Sequence, residues 1–356
     1  MKKISLFLIV TCFLLFSATE SFAAVKVATD SVPSMIERID PELQPAFIES
    51  RSLDFEKVGV EPFREYFSSL VNSTELPSDS EVKVYNVNIK NPDTGKDLRL
   101  RIYEPINRNN NRPGIYWMHG GGFIFGVPEQ DEAQSIRFAK EVGAVVVAVD
   151  YRLAPEYPYP AALNDSYAGL VWFAENANEL GVDKSRIAVA GASAGGGLCA
   201  SVALLARDRG GPLIAFQMPL YPMIDDRFIT SASQENIDRR VWNNTSNRYA
   251  WHVYLGDLAQ SNEVTPYMAP ARATDLSGLP PTYTCVGTLD PFRDDTINYA
   301  SRLAQAGVAT ELHLYPGAYH AFEVIAPNTS YSKRVVDEYV YVLQKALEPS
   351  GSIVSH

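Results

Sequence analysis

The tightest constraint in this chain of 356 residues is a run of small residues behind an apolar strand. Arg186 to Leu198 reads R-I-A-V-A-G-A-S-A-G-G-G-L. Ile187 to Ala190 have the character of a short buried strand. Gly191-Ala192-Ser193-Ala194-Gly195 matches G-x-S-x-G, and Leu198 to Ala206 is apolar and suited to a helix. Strand, sharp turn and helix in that order are the setting of a nucleophile elbow. Such a turn admits only small neighbours, which accounts for Gly191 and Gly195. It would carry the Ser193 hydroxyl to the positive end of the following helix, where a developing oxyanion is favoured. The same five residues also fit an ordinary small-residue turn, so the reading depends on the rest of the chain.

Composition narrows the classes. Apolar residues make up 46% and charged residues 21%, ordinary for a soluble globular protein. A formal net charge of −11 argues against nucleic acid or an anionic membrane surface as the main partner, since both attract basic surfaces. Lys2 and Lys3 precede an apolar stretch, Ile4 to Phe16, too short to span a bilayer. Ser21-Phe22-Ala23 then offers small residues for cleavage. This is the pattern of an export signal over 1–23, giving a periplasmic or secreted protein that starts near Ala24 and has no membrane segment after processing. Cys12 leaves with that segment. Cys199 and Cys285 are too few for a disulfide framework and read as two buried thiols. No Cys/His group has metal-ligand spacing.

Along the chain, residues 31–75 read as helical, with Pro41 near the first turn of a segment running to Glu49. Pro62 to Val71 carries Phe63, Tyr66, Phe67 and Leu70 on one helical face. Val82–Ile89 and Leu98–Tyr103 alternate around the turn Asn91–Gly95, an antiparallel hairpin. Gly114–Met118 and Ala144–Val149 are continuous apolar runs, which suit strands buried on both faces of a parallel sheet. Helices are expected over Glu132–Val142, Pro160–Leu180, Asp294–Ala306 and Lys333–Leu347. Further strands are expected over Leu213–Leu220, Thr282–Val286 and Glu311–Tyr315. Between Tyr221 and Val264 the alternation breaks into an aromatic-rich insertion with Trp242, Tyr249, Trp251 and Tyr254. The whole is an α/β fold with a mostly parallel sheet.

A serine nucleophile needs a base, and the base needs an orienting acid. Of five histidines, His356 is terminal, His252 is in the insertion and His313 lies inside a strand pattern. His119 opens a glycine run. His320 follows the last strand, in a loop at the carboxyl edge where parallel sheets carry function, and is the favoured base. Asp290 ends the preceding strand and is the favoured acid. Asp294 and Asp295 are rivals placed in the next helix, and Asp150 precedes the serine. The order Ser193, Asp290, His320 is that of an α/β-hydrolase. His119-Gly120-Gly121-Gly122 follows a buried strand and matches the H-G-G-G element that aims backbone N–H groups at an oxyanion. The Ala194 N–H completes that hole.

On these motifs the chain resembles the hormone-sensitive lipase family of α/β-hydrolases, near its bacterial carboxylesterases. The resemblance runs through H-G-G-G-F at 119–123, D-Y-R-L-A-P-E at 150–156, P-A-A-L at 160–163 and G-A-S-A-G at 191–195. It continues through L-Y-P-M at 220–223, G-T-L-D-P-F-R-D at 287–294 and Y-P-G-A-Y-H-A-F at 315–322. It implies Ser193, Asp290 and His320 as triad. Gly121, Gly122 and Ala194 would be the oxyanion donors, Gly120 would shape that loop, and His119 and Asp150 would support it. It implies a cofactor-free enzyme acting on small-molecule esters with short to medium acyl chains. It also implies a helical cap, built from N-terminal cap helices over 24–78 and a cap insertion over 221–264, on a catalytic core over 79–220 and 265–350. Two positions depart from the family pattern. Ala192 stands where Asp or Thr is usual, which leaves the support of the elbow open, and Tyr157 stands where His is frequent.

An amidase or a deacetylase of polar substrates would use the same machinery. A binding protein that has lost catalysis would be expected to lack His320. The natural acyl and alcohol groups and the oligomeric state, a homodimer among the options, stay open at this level.

Overall fold

In the computed structural model, which describes residues 34–51, 54–73, 75–107, 110–235 and 238–349, the apolar runs become strands with a packed layer on either side. The expected export signal, residues 1–23, lies outside the described residues. The strands are β1 (Val82–Lys90), β2 (Asp97–Pro105), β3 (Arg112–Met118), β4 (Val145–Val149), β5 (Val182–Ala192), β6 (Phe216–Leu220), β7 (Thr282–Gly287) and β8 (Thr310–Tyr315). They form one sheet in the order β1-β2-β4-β3-β5-β6-β7-β8. The β1–β2 and β2–β4 pairings are antiparallel, and every pairing from β4 to β8 is parallel.

Successive side chains on a strand point to opposite faces, and the buried residues sort accordingly. Val145, Val147 and Val149 pack with Leu170 and Phe173 of the helix Ala161–Glu175 and with Leu198 and Val202 of the helix Ala194–Arg209. Val146 and Ala148 pack on the other face with Val335, Tyr339 and Leu343 of the helix Ser330–Ala346. A run with no polar residue is therefore a strand with two cores to serve.

Several boundaries differ from the hydropathy reading. The helix expected over Pro160–Leu180 stops at Glu175, where the Asn176 side chain donates to the Trp172 carbonyl at 2.8 Å and the chain turns away. The strand expected from Leu213 begins at Phe216, and Leu213 is exposed. The N-terminal region breaks into the helices Met35–Arg38, Gln44–Glu49, Phe55–Val58 and Glu61–Ser73. Pro45, rather than Pro41, occupies the first turn of the second of these. In the last, Phe63 and Phe67 pack on Phe125 (ring centroids 4.7 and 5.4 Å), whereas Tyr66 and Leu70 stay exposed. The expected apolar face is thus only half used. Cys199 and Cys285 are buried free thiols. Among the described residues, no helix is long and apolar enough to cross a membrane.

The D-Y-R-L-A-P stretch follows β4, and its arginine is structural. Arg152 grips the fully buried Asp165 with Nε at 2.8 Å and Nη2 at 2.7 Å, and its backbone N–H adds a third bond at 2.9 Å. Removing one partner of such a pair leaves a buried charge uncompensated. Arg152→Met is expected to lower stability by about 3–5 kcal/mol. The check is a urea titration, in which the midpoint falls while the slope is unchanged.

Candidate active site

The site is assembled where β3, β5, β7 and β8 end. β5 stops at Ala192 and the helix Ala194–Arg209 begins one residue later, so Ser193 alone makes the turn. Its backbone sits at φ 57°, ψ −119°, a strained conformation that costs roughly 1–3 kcal/mol. Three backbone bonds hold it. The Ser193 N–H donates to Leu220 at 3.0 Å, and its carbonyl accepts from Gly197 and Met223 at 2.9 Å each. Gly195 is required by close approach: a Cβ there would lie 2.0 Å from the Met118 carbonyl oxygen at the end of β3. Ala192, whose family counterpart is usually polar, packs against the apolar layer under the sheet. The elbow is therefore braced by the main-chain bonds of Ser193 rather than by a side chain at 192.

β7 and β8 deliver the other two groups. Gly287 pairs with Tyr315 in the parallel register, so the loops that follow lie side by side. One carries Asp290 and the other His320. His320 Nε2 is 2.9 Å from Ser193 Oγ, and its Nδ1 is 2.7 Å from Asp290 Oδ2. With Asp290 ionised, Nδ1 carries the hydrogen and Nε2 is left to accept from the serine hydroxyl. Asp290 Oδ1 also accepts the Phe292 N–H at 2.8 Å, which fixes the carboxylate plane. Ser193, Asp290 and His320 are 6%, 2% and 4% exposed, so these bonds are shielded from competing water. The rivals are occupied elsewhere. Asp294 accepts from Arg293 and from the Ala232 N–H, and Asp295 accepts from Thr230. His252 is exposed. His313 on β8 lies between Glu311 and Glu338, and the ligand atoms of these three approach within 4.8 Å of one another. That group could take a cation, but it is built from β8 and the helix Ser330–Ala346 rather than from the loop holding His320. His356 lies outside the described residues.

The glycine run sits beside the elbow because Met118 of β3 pairs with Gly191 of β5. Gly121 adopts φ 121°, and its carbonyl accepts from the Ile124 and Phe125 N–H groups at 3.0 Å each. That winding leaves the N–H groups of Gly121 and Gly122 without a protein acceptor among the described residues, as is that of Ala194. A Cβ on Gly120 would lie 3.5 Å from Ser193 Cβ, which puts the loop directly against Ser193. His119 braces it. Its ring stacks on Tyr151 at 4.1 Å and 9°, Nδ1 donates to the Gly120 carbonyl at 2.8 Å, and the Tyr151 hydroxyl donates to the His119 carbonyl at 2.8 Å. Burial pushes the His119 pKa down to about 4, so the ring is neutral near pH 7. Asp150 is tied to Arg99 at 2.9 Å, and Arg99 also grips Glu129. Its link to the glycine loop is therefore indirect.

Several further side chains surround the site; Tyr221 and Phe292 stand in the L-Y-P-M and G-T-L-D-P-F-R-D stretches, whereas Trp242 and Arg64 have no local sequence signal. Trp242, from the insertion, lies over Gly122 and has its ring 6.4 Å from His320. The rings of Tyr221 and Phe292 stand nearly perpendicular to that of His320, each with centroids 5.0 Å away. The buried Glu323 accepts from Tyr221 and holds it there. Arg64, from the N-terminal helix, donates to the carbonyls of Ile124 and Ala154 at 2.6 and 2.5 Å and pairs with Glu156 at 2.7 Å. Phe55 contacts Trp242 and stacks on Tyr249, which joins the N-terminal segment to the insertion. Tyr157 is half-exposed beneath the Arg152 guanidinium.

Residues 115–324 match the model of a family described as the alpha/beta hydrolase fold. The chain is 40% identical to the carboxylesterase NlhH of Mycobacterium tuberculosis over 74% of this chain and 82% of that protein. It is 35% identical to an arylesterase of Saccharolobus solfataricus over 82% and 94%. Among solved structures, a bacterial heroin esterase superposes with a TM-score of 0.83 at 36% identity, covering 89% of this chain and all of that one.

The depressed pKa of His119 has a measurable consequence. Below its ordinary value of 6.5 the unfolded chain takes up a proton that the folded chain refuses, so stability is lost as the pH falls from about 6.5 to about 4. The full loss is roughly 3 kcal/mol at 1.4 kcal/mol per pKa unit. His119→Gln does not titrate. Its stability, from urea midpoints at pH 8 and pH 4.5, is expected to fall less across that window than the wild-type value.

Proposed function

The chain belongs to the alpha/beta-hydrolase family, in its hormone-sensitive lipase branch of bacterial esterases, and from that membership we propose that it hydrolyses carboxylic esters through Ser193, His320 and Asp290. The observation that carries the reading is the unbroken relay from Ser193 Oγ to His320 Nε2 and from Nδ1 to Asp290, at 2.9 and 2.7 Å, beside a loop of unpaired N–H groups. His320 takes the hydroxyl proton as Ser193 Oγ attacks the ester carbonyl. Asp290 keeps the imidazole oriented and stabilises the imidazolium. The developing oxyanion is received by the N–H groups of Gly121, Gly122 and Ala194, with Gly120 holding the turn. His320 returns its proton to the leaving alkoxide and leaves an acyl-serine. A water activated by the same imidazole then releases the acid.

The N-terminal helices and the insertion are proposed as two halves of one cap. The Phe55 contacts and the position of Trp242 over Gly122 support this. A cap lined with aromatic side chains suits acyl chains of short to medium length. Residues 1–23 are proposed to direct export and to be removed, which the mass of the processed protein would check.

Ser193→Ala is expected to lower kcat on p-nitrophenyl butyrate by about 10⁴–10⁶ and to abolish labelling by a fluorophosphonate. A loss under tenfold would overturn the assignment. Across p-nitrophenyl acetate, butyrate, octanoate and palmitate, kcat/KM is expected to peak at or below octanoate. A maximum at palmitate would contradict the proposed chain-length range.

A further inference from the structure

The cap carries buried hydrogen-bonding groups that the triad does not use. In the helix Asn244–Leu255, Asn244, Asn247, Trp251 and Tyr254 are all buried. Their spacing of three, four and three residues puts them on one face. Tyr254 stacks on Phe123 at 4.0 Å, and Trp251 lies 5.7 Å from the same ring. Phe123 directly follows Gly122 in the glycine loop. Trp242, just ahead of the helix, lies over Gly122 itself. This face is therefore the roof above the glycine loop.

The roof is polar and its polar atoms are unused. Both side-chain atoms of Asn244 (Oδ1 and Nδ2), both of Asn247, and Nε1 of Trp242 and Trp251 are buried with no hydrogen-bond partner among the described residues. Asn247 is 1% exposed and Trp251 0%. A buried carboxamide without a partner is costly to a fold, and a leucine of similar size would remove that cost. The charges nearby in the chain are committed elsewhere. Arg239 and Arg240 pair with Asp54 and Asp238, and Arg248 lies over Phe228 from the exposed side of the helix.

We propose that the esters this enzyme is built for carry an uncharged hydroxyl or amide group, which Asn244 and Asn247 bind beneath the cap. The inference rests on the ester-hydrolase reading of the same site. A carboxamide both gives and accepts hydrogen bonds, so its complement is a group that does both. A plain alkyl chain leaves all four atoms unpaired, and the charges that flank them in the chain are already paired or turned away.

The test uses matched esters of equal size in which a hydroxyl replaces a methyl. On the acyl side, p-nitrophenyl 3-hydroxybutyrate is compared with p-nitrophenyl 3-methylbutyrate. On the alcohol side, 2-hydroxyethyl butyrate is compared with propyl butyrate. The wild-type enzyme is expected to favour the hydroxy ester of at least one pair by about tenfold or more in kcat/KM, since a site built for a hydroxyl rejects the analogue lacking it. In Asn247→Leu that ratio is expected to fall to near one. If this variant does not fold, Asn244→Leu provides the same comparison. Wild-type ratios at or below one in both pairs overturn the proposal, as does a preference that survives the substitution. Wild-type turnover of p-nitrophenyl acetate, with Ser193→Ala as blank, separates the two readings. No turnover of acetate or of any of the four matched esters above that blank removes the ester-hydrolase reading, whereas turnover without a hydroxyl preference removes only this inference.

Discussion

The structure depends on a one-residue turn. Ser193 has a strand behind it and a helix ahead, with no loop to absorb the change of direction. The conformation it adopts is unfavourable for a residue with a side chain. It persists because three backbone hydrogen bonds converge on that residue, each contributing about 0.5–1.5 kcal/mol. Two of those bonds come from β6 and from the segment after it, and the third from Gly197 in the first turn of the following helix, so the turn cannot relax without disturbing the middle of the sheet. The same economy recurs around the site. Phe123, Tyr221 and Ala321 also have positive φ, and they follow the glycine loop, β6 and His320 respectively. Strain is gathered where the strands end, and the sheet beneath it bears the load.

Much of this was legible in the sequence because the informative residues answer to local rules. Continuous apolar runs mark strands buried on both faces, and the alternating assignment of Val145 to Val149 to two cores explains why those runs contain no polar residue. G-x-S-x-G and H-G-G-G are short because the turns they encode are short. Asp290 could be preferred over Asp294 and Asp295 because it falls in the loop after a strand while they begin a helix, and its bond to His320 follows from that position. What the sequence could not display is contact across long separations. Trp242 reads as one aromatic among several in an irregular stretch, and its place over Gly122 depends on how the insertion folds back. Arg64 is an ordinary helical arginine until the loops it reaches, at Ile124 and Ala154, are brought beneath it. The amphipathic pattern of Glu61–Ser73 overstated its own packing, since periodicity reports a face and not how much of that face is covered.

Charged and polar residues divide into two kinds. Arg152 with Asp165, and Arg272 with the fully buried Asp226, are struts that pin loops to the core. His119, neutral and stacked on Tyr151, is a strut of the same sort despite standing in a motif associated with catalysis. Asp290 and His320 are as deeply buried, but they form a relay that ends on a hydroxyl. Burial alone does not separate the two kinds. The distinction lies in whether the last group in the network can react.

The relay joins residues 127 and 30 positions apart in the chain, and its final member follows β8, the outermost strand of the sheet. Ser193 therefore gains its histidine partner only in a chain that has added its last strand. Non-local pairing of this kind is the slow part of folding. The geometry of this site therefore reports on the sheet as a whole: Ser193, Asp290 and His320 meet only where β5, β7 and β8 have taken their places in it.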